Sequence, residues 1–257
     1  PDARDFAYND GIIYVLFSNK IKIFDRTAQE IGSINLSLLN PPLINADRFT
    51  VCGNKIYIGD SGNLGIIVYN VAENSTRLID AHRSFDDTRV SFSSVIRNNN
   101  KVLFSTESGM DTNAFILTEK NMSIAKAIKK RWGIWIDRNE TALFVEQMRY
   151  FKEESRYGYT AGYNNVLEYS TRTGRTRTLF SLPYNYDVKD GFATAEFLCL
   201  YSSSNNTLDF FTYNGEHYSS IYRGKVDAIE PGNNIDELYI LYDGIIRKLS
   251  APSLGGI

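Results

Sequence analysis

The sequence has very few of the residues from which metal sites are usually built. Its 257 residues include only two cysteines and two histidines. A conventional zinc site needs four ligands that are mostly Cys or His, so this scarcity argues against one. No acidic cluster has the spacing of a calcium-binding EF-hand loop. We therefore expect no resident cofactor, and a metal site would have to be assembled from carboxylates on distant segments.

Net charge and long apolar runs are lacking as well. The 28 Lys and Arg residues nearly balance the 30 Asp and Glu residues, giving a net charge of −2. Such a chain has no general attraction to nucleic acid or to an anionic membrane. No apolar run approaches the length of a membrane-spanning helix. We expect neither a nucleic-acid partner nor membrane insertion. No signal peptide is visible, although Pro1 could follow a processing cut.

A sixfold recurrence is the main feature that the sequence does contain. A short segment precedes an apolar strand-turn-strand pair six times, and the central residues of these segments are Phe6, Phe49, Phe92, Trp132, Phe192 and Val226. Their spacings are 43, 43, 40, 60 and 34 residues. A period near forty residues with short strands is typical of propellers with four strands per blade. The repeat predicts an all-β, six-bladed β-propeller with four-stranded antiparallel blades.

We expect a single domain over residues 1–257. The predicted blades span about residues 5–40, 47–82, 90–129, 131–183, 190–224 and 225–257. The innermost strands of blades 5 and 6 are predicted at Phe192–Ala195 and Val226–Ile229. The last blade lacks an obvious fourth strand, because only residues 249–257 remain and they include Pro252 and two glycines. It is therefore expected to be incomplete or to be completed by another segment.

The two cysteines fall on opposite sides of the predicted ring. Cys52 lies on the innermost strand of blade 2, and Cys199 lies on the second strand of blade 5. These blades face each other across the disc, beyond the roughly 7 Å between Cα atoms that a disulfide tolerates. We expect two free thiols packed as small apolar residues, so cysteine usage does not argue for secretion.

Carboxylates recur near the starts of the innermost strands, at Asp5, Asp47, Asp190 and Asp227. Those starts converge around the central channel of a propeller, where several carboxylates could hold a cation or an amine. The alternative is that each aspartate caps a local turn.

Aromatic and basic residues stand at the same level as these carboxylates. Phe49 and Trp132 would favour a flat, cationic ligand if they faced the channel. Arg48 and Arg131 would instead favour an anion or neutralise the carboxylates. The predicted small-ligand site consists of Asp47, Phe49, Trp132, Asp190 and Asp227.

Blade 4 carries an insertion between its second and third strands, at about residues 147–164. It contains Tyr150, Phe151, Tyr157 and Tyr159 among charged residues. Long loops on rigid scaffolds often carry function, and mixed aromatic and charged residues suit a binding rim. We predict that these four aromatic residues contact a protein or glycan partner. The alternative is an extended hairpin with no partner.

Two further motifs carry little functional information. Gly59-Asp60-Ser61-Gly62 echoes the nucleophile motif of trypsin-like proteases, but neither His82 nor His217 lies in a matching context. We interpret it as a turn and predict no catalytic residues. Sequons for N-glycosylation occur at Asn35, Asn74, Asn121, Asn139 and Asn205. Composition alone would give about three, so a glycoprotein is allowed without being indicated.

One stretch is similar to a known family. Residues 56–70 read IYIGDSGNLGIIVYN, followed by TRL at 76–78 and SFDD at 84–87, with KIFD at 22–25 in the preceding blade. This pattern resembles the yellow/major royal jelly family over about residues 11–90. The resemblance implies a secreted six-bladed propeller without demonstrated catalysis, some members of which bind biogenic amines in the channel. The chain is short for the family, lacks its usual disulfides and does not match it after blade 3, so no family ligand residue is transferred.

These observations favour a non-enzymatic binding protein that uses one face or the central channel to bind a small ligand or a protein. A protein or glycan interaction module acting through the blade 4 insertion is the first alternative. A metal-dependent hydrolase or lactonase of propeller type is the second, although no ligand set for its metal can be identified in the sequence.

Overall fold

The computed structural model describes most of the chain. The described residues are 3–82, 91–107, 113–118, 120–121, 123–129, 131–138, 140–153, 156–161, 164–183, 186–232 and 237–250. The side chains of residues 107, 132, 148–153, 156–161 and 250 lie outside this description.

The described residues form six antiparallel sheets, each of which is one blade of a propeller. Blade 1 contains β1 (Asp5–Asn9), β2 (Ile12–Leu16), β3 (Lys20–Phe24) and β4 (Glu30–Asn35). Blade 2 contains β5 (Ala46–Cys52), β6 (Lys55–Asp60), β7 (Gly65–Asn70) and β8 (Ser75–Asp80). Blade 3 contains β9 (Ser91–Asn98), β10 (Lys101–Glu107), β11 (Asn113–Thr118) and β12 (Ser123–Ile128).

The second half of the ring is less regular. Blade 4 contains β13 (Arg131–Arg138), β14 (Thr141–Glu153), β15 (Arg156–Ala161), β16 (Asn165–Tyr169) and β17 (Thr176–Ser181). Blade 5 contains β18 (Val188–Ala193), β19 (Phe197–Ser202), β20 (Thr207–Thr212) and β21 (His217–Arg223). Blade 6 contains β22 (Ala228–Pro231), β23 (Glu237–Tyr242) and β24 (Ile245–Ser250). The predicted six-bladed fold is confirmed, and the described part of blade 6 has three strands, as expected.

Turn chemistry and burial explain why these segments form strands. Asp10 and Gly11 connect β1 to β2 with φ angles of 51° and 86°, the positive values that a tight hairpin turn needs. In β19 all six residues are buried, because the faces of a middle strand are covered by the two neighbouring blades. The outer strands β4 and β17 are largely exposed. Burial therefore falls from the middle of each blade toward the rim.

The ring closes through its innermost strands. β1, β5, β9, β13, β18 and β22 follow one another around the channel, and β22 lies next to β1. At that junction Phe6 and Val15 of blade 1 pack with Ala228 and Leu241 of blade 6. The Tyr8 ring stacks on the Tyr239 ring at a centroid distance of 5.2 Å. Packing of apolar side chains between the first and last blades thus closes the circle.

A second set of contacts ties neighbouring innermost strands together. The Phe49 N–H donates to Asp5 Oδ2 at 3.1 Å, and the Phe92 N–H donates to Asp47 Oδ2 at 3.0 Å. The Ile229 N–H donates to Asp190 Oδ2 at 2.8 Å. In each case a carboxylate of one blade accepts a backbone hydrogen bond from the next blade. We call Asp5, Asp47 and Asp190 the clamp carboxylates.

Between blades 3 and 4 a hydroxyl takes the same role. The Trp135 N–H donates to Ser94 Oγ at 2.9 Å. A buried backbone N–H without an acceptor is costly, so each clamp satisfies a donor that the neighbouring sheet leaves unpaired. Three of the four aspartates predicted to converge on the channel are therefore clamps between blades, and not caps of local turns.

Two boundaries differ from the sequence prediction. β18 begins at Val188, four residues before the predicted start, and it contains a bulge between Val188 and Asp190. The blade 4 insertion is a hairpin: β14 continues to Glu153 and pairs with β15. Both cysteines lie on the predicted strands and are free; Cys199 is buried, whereas Cys52 is only half-buried.

We predict that Asp47→Ala lowers the free energy of unfolding by about 1–3 kcal/mol, because the Phe92 N–H loses its acceptor between two blades. Asp47→Asn is the matched control, since its amide oxygen can still accept that bond and should restore most of the loss. Guanidinium unfolding monitored by tryptophan fluorescence measures both. An alanine variant as stable as the wild type would show that the clamp does not hold the blades.

Candidate functional site

The centre of the ring contains a cavity of about 340 Å³, which we call the inner cavity. It is lined by innermost-strand residues, including Asp5, Arg48, Phe49, Asp190 and Glu230. Its volume falls within the range of small-molecule sites, roughly 300–1,000 Å³. The inner cavity is therefore large enough for a compact ligand and is surrounded by charged groups.

Asp5 is the most enclosed of the acidic residues in the inner cavity. It lies at the start of β1 and is 8% exposed. Besides the clamp to Phe49, it accepts a hydrogen bond from the Phe6 N–H at 3.1 Å. Burial raises the pKa of Asp5 to about 7; the Arg48 guanidinium, 3.6 Å away, opposes this rise and the Asp190 carboxylate adds to it. Asp5 therefore holds a proton for much of its time near neutral pH.

Asp190 occupies the corresponding position in blade 5. It accepts hydrogen bonds from the Gly191 N–H and the Ile229 N–H, both at 2.8 Å. Burial raises the pKa of Asp190, and this effect outweighs the nearby Arg48 and the two backbone donors. Asp5 and Asp190 thus share two properties: each clamps two blades, and each brings a poorly solvated carboxyl to the inner cavity.

Glu230 also lines the inner cavity, and it has no clamp function. It lies in β22, where its backbone pairs with β23, but its carboxyl group makes no hydrogen bond or ion pair with the rest of the described chain. Burial raises the pKa of Glu230 well above its usual range, and the neighbouring Asp190 and Asp5 raise it further. A half-buried carboxyl with no partner destabilises the fold and is typical of functional sites.

We call Asp5, Asp190 and Glu230 the carboxyl cluster. Asp190 raises the pKa of Asp5, and both raise the pKa of Glu230. Arg48 lowers the pKa of Asp5 and Asp190, and Lys189 also lowers that of Asp190. Because buried like charges repel, part of the cluster stays protonated. A cation that entered the inner cavity would replace those protons and relieve the repulsion.

A second cavity, of about 540 Å³, lies at the mouth of the channel. Its lining includes Arg4, Asp47, Arg48, Lys189 and Asp227, and it shares Arg48 and Lys189 with the inner cavity. We call it the mouth cavity. The two shared cations therefore stand at the junction between the two spaces.

Backbone irregularities contribute two of the mouth residues. The pairing of β5 with β6 skips Asp47, and the pairing of β18 with β19 skips Lys189. A bulge re-aims the extra side chain relative to a regular strand. Lys189 Nζ contacts Asp227 Oδ1 at 3.3 Å and the Val226 carbonyl oxygen at 3.1 Å.

The residues predicted as a small-ligand site are divided between the two cavities. Phe49 and Asp190 line the inner cavity, whereas Asp47 and Asp227 line the mouth cavity. Trp132 belongs to β13, but its side chain lies outside the described part. Unlike the clamp carboxylates, Asp227 accepts its backbone hydrogen bond from its own blade: the Asp243 N–H, in the turn between β23 and β24, donates to it at 3.1 Å.

Sequence reasoning missed two cavity residues. Glu230 was missed because β22 was predicted to end at Ile229, which left Glu230 in a connection. Lys189 was missed because the predicted innermost strand of blade 5 began three residues later. Extending the alternating pattern of β22 by one residue would have placed Glu230 on a strand. Nothing in the sequence marks the bulge at Lys189.

The aromatic positions predicted for partner binding lie on the blade 4 hairpin. In its register Tyr150 is opposite Tyr159, Phe151 is opposite Gly158 and Tyr157 is opposite Lys152. Within the blade, β14 pairs with β16 only from Ala142 to Val145. The hairpin therefore continues beyond the body of the blade on that side.

The protease-like motif forms a turn, as interpreted from the sequence. Asp60 is buried and accepts hydrogen bonds from the Asn45 N–H at 2.8 Å and the Gly62 N–H at 3.0 Å. His217 is far along the chain, where its Nε2 lies 3.4 Å from Asp209. Among the described residues, no group of three or more His, Cys, Asp or Glu is arranged to hold a metal ion. None of the described residues forms a helix with the length and apolar character that crossing a membrane requires.

Comparison with known proteins identifies the fold and not a family. No family model matches the sequence, and no characterised protein matches it in sequence. The likeness of residues 11–90 to the yellow/major royal jelly family therefore stays a prediction, whereas the six-bladed propeller is shown.

Solved structures share the architecture at low identity. The calcium-binding protein regucalcin from Agrobacterium tumefaciens is 11% identical, with a TM-score of 0.69 over 96% of this chain and 89% of its own. A luciferin-regenerating enzyme is 9% identical, with a TM-score of 0.68 over 99% and 92%. A chain of the nidogen/laminin complex is 10% identical, with a TM-score of 0.62 over 86% and 80%. These proteins differ in function, so the likeness establishes the fold alone.

We predict that Glu230→Gln stabilises the protein at pH 8 and makes its stability less dependent on pH. The folded state retains protons on raised-pKa carboxyls that the unfolded chain has already released, so raising the pH lowers the free energy of unfolding. For Asp5 this loss of stability occurs as the pH rises from the usual pKa of 3.8 to the raised pKa of about 7. For Glu230 the loss of stability begins as the pH rises above the usual pKa of 4.5.

Chemical unfolding of wild type and variant from pH 5 to pH 8 measures the difference. Glu196→Gln, at an exposed position, is the matched control and should leave both the stability and its slope unchanged. If Glu230→Gln followed the wild-type curve, or were less stable at pH 8, Glu230 would not be an unfavourably buried carboxyl.

Proposed function

We propose that this propeller is a binding protein whose inner cavity takes a small ligand through a protonated amine. The observation that carries the proposal is the carboxyl cluster, and above all Glu230, which lines the cavity without a hydrogen-bonding partner in the described chain. A carboxyl group that costs stability without making a hydrogen bond or ion pair supports a role in binding.

The chemistry of an ammonium group fits this cluster. It carries one positive charge and three donors, and the carboxyl cluster offers acceptors on three blades around one space. Hydrogen bonds between ionised groups are stronger than neutral ones, especially where water is restricted. Asp5 and Asp190 are held in place by their clamps to Phe49 and Ile229. The site is thus preorganised, which reduces the entropy lost on binding.

The wall of the inner cavity also suits an organic amine. Phe49, Ile134, Trp135 and Phe192 border the same space as the carboxyl cluster, while most of each side chain is buried between blades. Apolar and aromatic groups around a few charged groups are the usual composition of a small-molecule site. A ligand with a compact apolar body and a protonated amine would contact both kinds of surface.

We expect isothermal titration calorimetry with a panel of small primary amines to detect binding at pH 7.5. Glu230→Gln should weaken binding at least tenfold, because it removes a negative charge while conserving shape. Glu230 is the best position to test, since Asp5 and Asp190 also hold the blades together and their loss would confound folding with binding.

Glu196→Gln is again the matched control and should bind like the wild type. Thermal unfolding of each variant verifies that the fold is intact. Absence of heat for every amine, or equal affinity in Glu230→Gln, would contradict the proposal.

A second function is supported by the blade 4 hairpin, which we propose contacts a protein partner. Its register sets Tyr150 opposite Tyr159, a pairing of residues that are enriched in interfaces. A propeller of similar fold occurs in the nidogen/laminin complex, which supports protein binding as a use of this architecture. This function and amine binding use different parts of the molecule and are compatible.

Removing residues 150–159 and joining residues 149 and 160 through Asn-Gly should shorten the hairpin without touching the blade, because Arg149 and Thr160 already face each other. The melting temperature should change little, while partners captured from a native extract by the wild type should be lost. Capture of the same proteins by the shortened chain would exclude the hairpin as the contact.

A further inference from the structure

We infer that the ligand is a zwitterion with the chemistry of an amino acid, bound with its ammonium group at the carboxyl cluster and its carboxylate at the junction of the two cavities. This inference rests on the proposed amine site and adds a second, anion-binding half to it. The carboxylate would face Arg48 and Lys189, the two cations common to the inner and mouth cavities.

Arg48 has donors to spare for an anion. Its side chain is 22% exposed, and only Nη1 makes contacts within the described chain: 3.6 Å to Asp5 Oδ1 and 3.4 Å to the Arg4 carbonyl oxygen. Both distances exceed those of a strong charge-assisted hydrogen bond, about 2.7–2.9 Å. Its Nε and Nη2 have no hydrogen-bonding partner among the described residues. A guanidinium with two free nitrogens is suited to grip a carboxylate with paired hydrogen bonds.

Lys189 supplies the second positive charge. It is the extra residue of the bulge in β18, which brings it to the lining of both cavities. Its ammonium group contacts Asp227 Oδ1 at 3.3 Å and the Val226 carbonyl oxygen at 3.1 Å. An ammonium has three donors, so one remains for a ligand.

The balance of charge therefore changes along the channel. The inner cavity is lined by four carboxyl groups and three cations, namely Asp5, Asp137, Asp190, Glu230, Arg48, Arg97 and Lys189. The mouth cavity is lined by three cations and two carboxylates, namely Arg4, Arg48, Lys189, Asp47 and Asp227. A simple amine would satisfy the carboxyl cluster and leave the junction cations unfilled. A zwitterion that spans the junction of the cavities binds the carboxyl cluster with its ammonium group and the junction cations with its carboxylate. The separation of its two charges matches the change of charge from the inner cavity to the mouth cavity.

Calorimetry with matched pairs of compounds tests this inference. Each pair consists of an amino acid and the amine that lacks its carboxylate: leucine with 3-methylbutylamine, phenylalanine with phenethylamine, and tryptophan with tryptamine. We expect at least one amino acid to bind ten or more times more tightly than its amine. Lys189→Met and Arg48→Lys should each reduce this preference several-fold, the first by removing charge and the second by removing the guanidinium fork while conserving charge.

A control variant separates the anion-binding half from the effect of overall charge. Lys225→Met removes an exposed positive charge close in sequence to the mouth residues and should leave the preference unchanged. The affinity of Lys225→Met for the plain amines should also equal that of the wild type, because Lys225 lines neither cavity. If Lys225→Met reduced the preference as much as Lys189→Met, the preference would reflect overall charge, and the division of roles would be overturned.

The outcomes distinguish this inference from the proposed function. If amines bind as tightly as their amino acids, the zwitterion inference fails and the amine site stands. If neither compound of any pair binds, both fail. If an amino acid is preferred and the preference survives in both Lys189→Met and Arg48→Lys, the anion-binding half is not at the junction of the cavities.

Discussion

A hydrogen bond between blades underlies both the fold and the candidate site. A carboxylate near the start of one innermost strand accepts the backbone N–H of the next innermost strand, at Asp5, Asp47 and Asp190. The innermost strands have no sheet partner on the channel side, so their N–H groups need acceptors from elsewhere. Short acidic side chains supply them, and this requirement brings negative charge to the centre of the ring. The position of the charged channel follows from how the blades are joined.

The charge that joins the blades is also a cost. Asp5 and Asp190 are poorly hydrated, so the pKa of each is raised, and the Asp190 carboxylate raises the pKa of Asp5 further. A fold optimised for stability alone would not add another carboxyl to this place, yet Glu230 lies there without a clamp function. Stability sacrificed at a cavity is the usual mark of selection for binding. We therefore interpret Asp5 and Asp190 as structural residues that, together with the additional carboxyl of Glu230, also form a ligand site.

The sequence predicts the architecture well, because the period of the repeat depends on many residues at once. It also brings Asp5, Asp47, Asp190 and Asp227 near the channel, but it cannot tell clamps from ligands, since both uses need an aspartate at the same point. Lys189 and Glu230 depend on finer details: a single bulge and one residue at a strand end. In a β-strand one residue of shift exchanges the two faces, so errors too small to affect the fold prediction are enough to lose a site residue. For the blade 4 insertion the sequence leaves two interpretations open, a binding loop and an extended hairpin, because its mixed aromatic and charged composition suits a loop as well as a pair of strands.

A cation that binds at the carboxyl cluster replaces protons held there, and counting those protons is the most direct test. Titrating an amine or amino acid that binds into the protein at pH 7, in two buffers with different enthalpies of ionisation, gives the number of protons exchanged on binding. We expect a net release, because the ligand's ammonium group favours the ionised form of Asp5, Asp190 and Glu230, and a smaller release in Glu230→Gln. Binding with no proton exchange, or with proton uptake, would show that the ligand does not bind at the carboxyl cluster.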